Sequence, residues 1–443
     1  METGLTDVLG IGAVAIVLGL AVLGTMVYRE LGPFGGLEAG KRWLLMAAFG
    51  MGIFAFGLKM AVAVAVDRIP EHTVRPLVAA HTAPSIAVRE EADAGQEAAI
   101  APDHYAWEAL PMEAPAPADN PTTPEKVALG KRLFFDQRLS ADGTVACASC
   151  HNLERKGGAD GRRTALGIDG KTGTRNAPTV WNAAFQGVLF WDGRAASLEE
   201  QAKGPILNPL EMGMASAAEA VGRVAADAAY RDAFARVFGA GEAITLERIA
   251  AAIAAYERTL ITPDSPYDRF VRGERAALTP TQQRGMALFE SVGCVNCHKG
   301  PNFSDASLLA SPSPWRLFPA NPNPYEQRFD LTADSGAGAK GKRPGMWRIP
   351  SLRNVALTGP YFHNGSVDKL ADAVRVMAAS QLGVTIVENG DNAVPESVVV
   401  WSPPQRQIVQ VQKRILRARD IDDIVSFLEA LSSDTLTRGK PQS

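Results

Sequence analysis

Cysteine is scarce in this chain of 443 residues, with four in all. They stand at 147, 150, 294 and 297, and each pair is followed directly by a histidine, in CASCH and CVNCH. None is left over for a structural disulfide. Histidine is almost as rare, with six in the whole chain, and an excess of either charge is missing, the formal net charge being −3. Such a chain lacks the basic face that neutralising phosphates requires, which excludes a nucleic-acid binder. The length suits more than one domain.

C-x-x-C alone would fit a zinc knuckle or a redox dithiol, but the histidine after each second cysteine points to c-type haem. The two thiols become thioethers on the porphyrin vinyl groups, and the adjacent imidazole meets the iron. Two covalently bound haem c groups are therefore expected, one through Cys147, Cys150 and His151, the other through Cys294, Cys297 and His298.

Long apolar runs are confined to the N-terminus. No charged side chain occurs from Val8 to Tyr28, a run of about 20 residues that matches one bilayer crossing. A second run, Trp43 to Val66, is broken only by Lys59, whose stem can snorkel to the interface. A cleaved leader is disfavoured, because METGLTD has no basic residue and no small-residue cleavage site precedes the second run. Residues 1–66 are thus expected to form a two-span membrane anchor. Arg29, Lys41 and Arg42 put the connecting loop on the cytoplasmic side, which agrees with bacterial haem c being attached in the periplasm. The expected location is the inner membrane, with the head in the periplasm.

Residues 67–120, rich in Ala, Pro and acidic side chains as in EAPAPADNPTTPEK, read as a semi-extended linker, part of which can pack along the head. The head contains an internal echo. Gly130, Leu133 and Phe134 precede the first haem motif, and Gly285, Leu288 and Phe289 precede the second, each on an expected helix. The expected fold is mainly α, with two cytochrome c-like haem lobes at 121–275 and 276–443. In LERIAAAIAAYERTL, Ile249, Ile253, Tyr256 and Leu260 share one helical face. A β-hairpin is expected within 384–401, turning around Asn389 to Asn392, and RARDIDDIVSFLEAL reads as a closing helix.

Each iron needs a ligand opposite its histidine, or an open face. His72, His81 and His104 lie in the linker, His363 sits well downstream in YFHNGSV, and no second histidine closely follows CASCH. Methionine is the other common strong ligand and raises the haem potential. Met212, Met214, Met286, Met346 and Met377 are available, and spacing does not choose among them, since each is also ordinary core filling.

The ordered strings CASCHNLERKGGADGR, GTRNAPTVWNAAF, FWDGRAASLEEQAKGPILNPLEM, CVNCHKGPNFSD and IPSLRNVALTGPYFHNGSVDKLADAVRVMAASQLG resemble the bacterial dihaem cytochrome c peroxidases, a family related to the MauG enzymes. The resemblance spans roughly 121–383 and the last helix, leaving out the anchor and linker. It implies an N-terminal peroxidatic haem on His151 and a C-terminal electron-transfer haem held axially by His298 and Met377. MauG-type enzymes, which oxidise tryptophans of a partner protein, have tyrosine in place of that methionine. The resemblance further implies that Glu211 relays a proton between the oxygens of hydrogen peroxide, with Gln201 as a polar neighbour. It also implies that Trp191 lies between the haems and that a calcium ion is bound by Asn176 and the carbonyls of Thr358 and Pro360. His363 is expected to be a structural hydrogen-bonder at the lobe interface.

One departure stands out. Many members carry a histidine in the stretch that here reads ALGIDGKTGTRN, where it caps the peroxidatic iron until the other haem is reduced. This chain has Ile168 there, and neighbouring Asp169 would be a weak ligand. The expected activity is reduction of hydrogen peroxide to water with electrons from a cytochrome c or cupredoxin, without reductive activation. Two alternatives stay open: oxidation of residues on a partner protein, and a non-enzymatic dihaem electron carrier. Direct quinol oxidation at the anchor lacks a recognisable quinone site, and a homodimer is compatible with every reading.

Overall fold

The computed structural model describes residues 105–437 apart from 155, 311–313, 341–343, 388–396, 403–406 and 413–414, together with 38, 41, 44 and 45. The chain divides into two compact units, Met1–Asp93 and Ala94–Ser443. The expected membrane spans lie outside the described residues, among which no helix is long and apolar enough to cross a membrane.

The second unit is mainly helical. Its longer helices are α1 (Pro124–Phe134), α2 (Leu198–Leu207), α3 (Ala217–Ala225), α4 (Ala228–Phe238), α5 (Leu246–Glu257), α6 (Pro266–Val271), α7 (Pro280–Val292), α8 (Leu370–Leu382) and α9 (Ala418–Glu429). Most begin on a side-chain cap that satisfies an orphan amide. Thr123 accepts from the Lys126 amide, and Thr279 and Gln282 cap each other reciprocally, each pair followed or spanned by a proline in the first turn.

The Gly-x-x-Leu-Phe echo has a packing cause. A Cβ on Gly130 would lie 1.8 Å from the Ala252 carbonyl oxygen and 3.0 Å from Cβ of Tyr256, while one on Gly285 would lie 1.9 Å from that of Asp423 and 2.9 Å from Cβ of Phe427. In each half, a helix leading into a haem motif thus crosses a later helix at backbone contact, α1 on α5 and α7 on α9. An aromatic one turn further along closes each crossing. Replacing either glycine by alanine should destabilise the protein by about 1–3 kcal/mol or more through overpacking, measurable as a lower denaturation midpoint of the haem-loaded protein; an unchanged midpoint would refute the tight crossing.

Each crossing is surrounded by its own hydrophobic core. The first contains Leu133, Phe134, Ile206, Tyr230, Ile249 and Ile253, the second Tyr267, Phe289, Phe303, Ile424 and Phe427. The expected face of 246–260 is the buried one, with Ile249, Ile253, Tyr256 and Leu260 all in the first core.

Part of the expected linker is packed. Leu110 is buried and its amide donates to Asp268 Oδ1 at 2.8 Å, and the Tyr105 hydroxyl accepts from the Gly300 amide at 2.6 Å. Trp107 meets Tyr105 edge-on with ring centroids 4.6 Å apart. Aromatic residues scarce elsewhere in the tract thus fix 105–110 to the second core.

Strands are short and paired in twos. β1 (Trp315–Leu317) is antiparallel to β2 (Met346–Arg348), and β3 (Thr385–Val387) is parallel to β6 (Ile415–Arg417). The expected hairpin over 384–401 is displaced: β4 (Ser397–Ser402) pairs antiparallel with β5 (Gln407–Gln412), from Ser397 opposite Gln412 to Ser402 opposite Gln407. Equal six-residue strands form it, separated in the sequence by a stretch that includes Pro403 and Pro404; residues 403–406, like the expected turn at 389–392, lie outside the described residues. The hairpin expectation overlooked this proline pair, a stronger punctuator than the Asn-rich stretch.

Candidate active site

Both Cys-x-x-Cys-His motifs open onto one cavity of about 660 Å³. Cys147–Cys150 form a single helical turn, and Cys294 follows directly on Gly293, whose φ of 102° ends α7. Burial pushes the thiol of Cys147 up to about 12 and that of Cys150 to about 11. Thiols so protonated are poor redox nucleophiles, and no group of three or more His, Cys, Asp or Glu suited to a metal ion occurs among the described residues.

The two histidines are prepared alike. Nδ1 of His151 lies 3.3 Å from the carbonyl oxygen of Gly158, and Nδ1 of His298 lies 3.1 Å from that of Phe303. A carbonyl on Nδ1 fixes the tautomer and leaves Nε2 to a metal. Burial lowers the pKa of both imidazoles, that of His298 to about 4, so they remain neutral.

Whether a haem suits this space can be judged from its walls. Nε1 of Trp181, Nε1 of Trp347, Nε2 of His363 and Oε1 of Gln381 are buried without a hydrogen-bond partner, and all four residues line the cavity. Buried polar atoms are rarely left so. Arg348 is also buried there, with its hydrogen bonds going to neutral oxygens of Phe190, Gln186 and Ile349, and burial lowers its pKa to about 10. Largely apolar walls, polar donors and one buried cation fit a porphyrin and its propionates.

α8 brings Met377 to the same cavity as the second motif. Ala373, Val374, Met377, Ala378 and Gln381 line the cavity at helical spacing, so His298 and Met377 face the same space. Of the other methionines, Met214 and Met286 are buried in the two cores, Met346 lies on β2, and Met212 borders the cavity while packing in the first core.

α2 presents Leu198, Gln201, Ala202 and Pro205 to the cavity, one apolar-polar stripe. Beyond its end the chain folds back. The amides of Met212 and Met214 donate to the carbonyls of Pro205 and Ile206 at 3.1 and 2.9 Å. This return carries Glu211 to the cavity wall, where Oε1 accepts from Asn208 Nδ2 at 2.8 Å. Desolvation raises the Glu211 pKa, against the opposing effects of Asn208 and Arg194.

Ile168 is not where the sequence expectation put it. Its side chain is 5% exposed and packs in the first core, away from the cavity, which Leu166 and Gly167 line instead. Asp169 is turned outward and pairs with Lys171 at 3.1 Å, so it does not reach the cavity either. The reason is the tight turn, with φ of 53° at Asp169 and 68° at Gly170, which sends successive side chains to opposite sides.

Trp191 lines the cavity and donates from Nε1 to the Asn176 carbonyl at 2.9 Å. His363 packs edge-on against it with centroids 6.5 Å apart and stacks on Trp347 at 4.0 Å. Asn176, Thr358 and Pro360 all border the cavity. As placed, Nδ2 of Asn176 donates to the Pro360 carbonyl at 2.6 Å, so the amide nitrogen rather than its oxygen faces this partner.

Sequence reasoning passed over Trp347, Arg348, Gln381 and Glu257. Glu257, at the end of α5, is buried on the cavity wall with Oε2 unpartnered, and desolvation pushes its pKa up to about 8. A charged residue inside an otherwise apolar helical face was the available signal for it.

A family model for the di-haem cytochrome c peroxidases matches residues 124–276. Cytochrome c551 peroxidase of Nitrosomonas europaea is 42% identical over 271 residues, covering 60% of this chain and 77% of that protein. The chain belongs to the di-haem cytochrome c peroxidase family. Members are oxidoreductases of the peroxidase type. Cytochrome c peroxidase Ccp of Escherichia coli is 39% identical over 72% of this chain, which spans 60% of the length of that longer relative. Among solved structures, a MauG-like protein associated with microbial copper homeostasis superposes with a TM-score of 0.59 at 32% identity, covering 75% of this chain and 97% of that one.

Proposed function

We propose that the protein reduces hydrogen peroxide to water, taking electrons from a small periplasmic cytochrome c or cupredoxin, and that it needs no reductive activation. Three observations support this reading: Met377, Glu211 and Gln201 line the same cavity as both motifs, Glu211 lies near enough to Cys150 of the first motif to raise its pKa, and the Ile168 side chain is packed in the first core instead. When bound, the two haems supply the redox chemistry, the first toward peroxide and the second toward the donor.

The remaining work falls to side chains. His151 and His298, neutral and oriented by carbonyls, would hold the irons, and Met377 would complete the second set and raise its potential. Arg348, His363, Trp181 and Trp347 would take the propionates. Glu211 would accept a proton from one peroxide oxygen and return it to the other, so that the O–O bond breaks with water as leaving group. Gln201 would hold peroxide or water beside it. Trp191 would lie on the electron route, rigidly hung from Asn176.

Calcium belongs to the same proposal: with the Asn176 amide turned over so that Oδ1 replaces Nδ2 beside Pro360, that oxygen and the Thr358 and Pro360 carbonyls are neutral oxygens suited to a hard cation with several waters. Chelation should then lower the thermal midpoint and slow turnover, both restored by added calcium; indifference to the chelator would remove the ion. The two-span anchor in the inner membrane and a homodimer are further parts of the proposal, tested by membrane fractionation and by mass measurement in detergent.

Electron paramagnetic resonance of the oxidised protein tests the central point. One high-spin and one low-spin ferric signal are expected. Two low-spin signals would favour an electron carrier. A second enzymatic reading, oxidation of a partner protein, is favoured by the likeness to a MauG-like structure and opposed by Met377; a long-lived two-electron-oxidised state without reductant would support it.

A further inference from the structure

Residues 165–173 form a small closed hairpin beside Glu211. The Gly173 amide donates to Ala165 at 3.0 Å, Gly167 to Lys171 at 2.8 Å, and Lys171 to Ile168 at 2.9 Å. Leu166 and Thr172 pair as an isolated bridge. Ile168 stands at the tip.

Three contacts dock this tip. The Ile168 amide donates to the carbonyl of Glu211 at 2.8 Å. Its side chain fills a notch that exists because residue 213 is glycine: a Cβ there would lie 2.2 Å from Cδ1 of Ile168 and 3.7 Å from Cβ of Ala141. Gly167 is pressed so closely on the same segment that a Cβ would lie 2.0 Å from the Leu210 carbonyl oxygen and 2.8 Å from Cα of Glu211. On the far side, the Ala141 amide donates to Met212 at 2.7 Å, and Arg223 holds the carbonyls of Ser140 and Ala141 at 2.7 and 2.8 Å. The Glu211 backbone is therefore clamped between 141 and 168.

We propose that Ile168 is a positioning residue for Glu211: an apolar latch that seats the 165–173 hairpin in the Gly213 notch and fixes the carboxylate-bearing segment at the cavity wall. The inference rests on Glu211 as the proton carrier. The physical ground is ordinary. A carboxylate that must meet a peroxide within hydrogen-bond reach needs a backbone that does not wander, and a misplacement of about 1 Å costs on the order of 100-fold in rate. Isoleucine, branched at Cβ and stiff about χ1, places Cδ1 reproducibly in a slot one carbon wide. Burial of the Ile168 side chain in the first core, which also contains Met212, Met214 and Val145, holds the hairpin down.

The groups facing Glu211 are Asn208 from its own turn, Arg194 from the turn after Trp191 and Cys150 of the haem motif. On the outer side of the hairpin, Asp142 accepts from the Asp169 amide at 3.3 Å. None of these is removed by changing Ile168.

The test compares haem-loaded wild type, Ile168→Ala and Ile168→Val, the latter deleting only the methyl in the notch. Hydrogen–deuterium exchange is followed over 165–173 and 209–213, together with the pH dependence of peroxide turnover. In Ile168→Ala, exchange in both segments should accelerate at least about tenfold while α1 and α5 stay unchanged. Turnover should fall about 10- to 100-fold, and its acid limb should move to lower pH as water reaches Glu211. Ile168→Val should show the same changes in smaller degree, and it serves alone if the alanine variant does not fold. Unchanged exchange at 209–213 overturns the latch. Faster exchange with an unmoved acid limb and full turnover overturns the positioning role. Full turnover in Glu211→Gln would instead remove the proton-carrier reading beneath it, a separate result from either.

Discussion

Glu211→Gln should lower peroxide turnover by about 10²- to 10⁴-fold, the range typical of a lost acid–base group, with both haems still attached. Glutamine keeps the volume and the capacity to accept from Asn208 Nδ2, so little besides proton transfer changes. The pH profile adds a signed check. Burial raises the Glu211 pKa above the usual glutamate value, and the relay begins with the ionised carboxylate taking a proton. Activity should therefore rise with pH through that raised pKa and be lost below it, with the acid limb displaced upward from that of an exposed glutamate. The variant should lose this limb altogether. Unreduced turnover, measured under donor saturation, would remove Glu211 from the chemistry.

Arg353→Met should cost about 3–5 kcal/mol of stability, the usual consequence of stranding a buried charge. Arg353 and Asp268 are both fully buried, joined by Nη1 to Oδ2 at 2.8 Å and Nη2 to Oδ1 at 3.0 Å. Their links reach further than the pair. Nε of Arg353 donates to the Pro301 carbonyl just after the second haem motif at 2.7 Å, and Asp268 accepts from the Ser265 hydroxyl at 2.6 Å and the Leu110 amide at 2.8 Å. One ion pair thus ties the 105–110 segment, α6 and the haem loop together. Removing Asp268 as well would not rescue the loss, since Ser265 and Leu110 would then be stranded. Denaturant unfolding of the haem-loaded protein gives the figure, and a loss below about 1 kcal/mol would show the pair to be dispensable.

Much of the site was legible because covalent haem demands an uncommon string. Cysteines in C-x-x-C-H need no tertiary context to be read, and helical periodicity placed Ile249, Ile253 and Tyr256 in the first core. Gly130 and Gly285 were visible as a repeat, but their cause, a helix crossing at backbone contact, needs coordinates. Ile168 shows the opposite case. Its place in the chain was read as its place over the iron, yet two positive-φ residues after it turn the tip and bury it against Gly213. Arg348, Trp347 and Gln381 were illegible because nothing local distinguishes them; they become functional candidates only where β2 and α8 bring a buried cation and two unpartnered polar atoms to one cavity. The hairpin was misplaced because β3 pairs in parallel with β6, a pairing with no short-range signature, which leaves β4 to pair with β5.

The most direct test of the account mixes the fully oxidised, never-reduced protein with hydrogen peroxide in a stopped-flow instrument and follows the Soret band. An immediate, peroxide-dependent shift is the predicted result, because on the proposed reading the first haem would face Glu211 and Gln201, while Ile168 is packed in the first core. No change until one electron is added would contradict it, showing that another group guards the iron at rest.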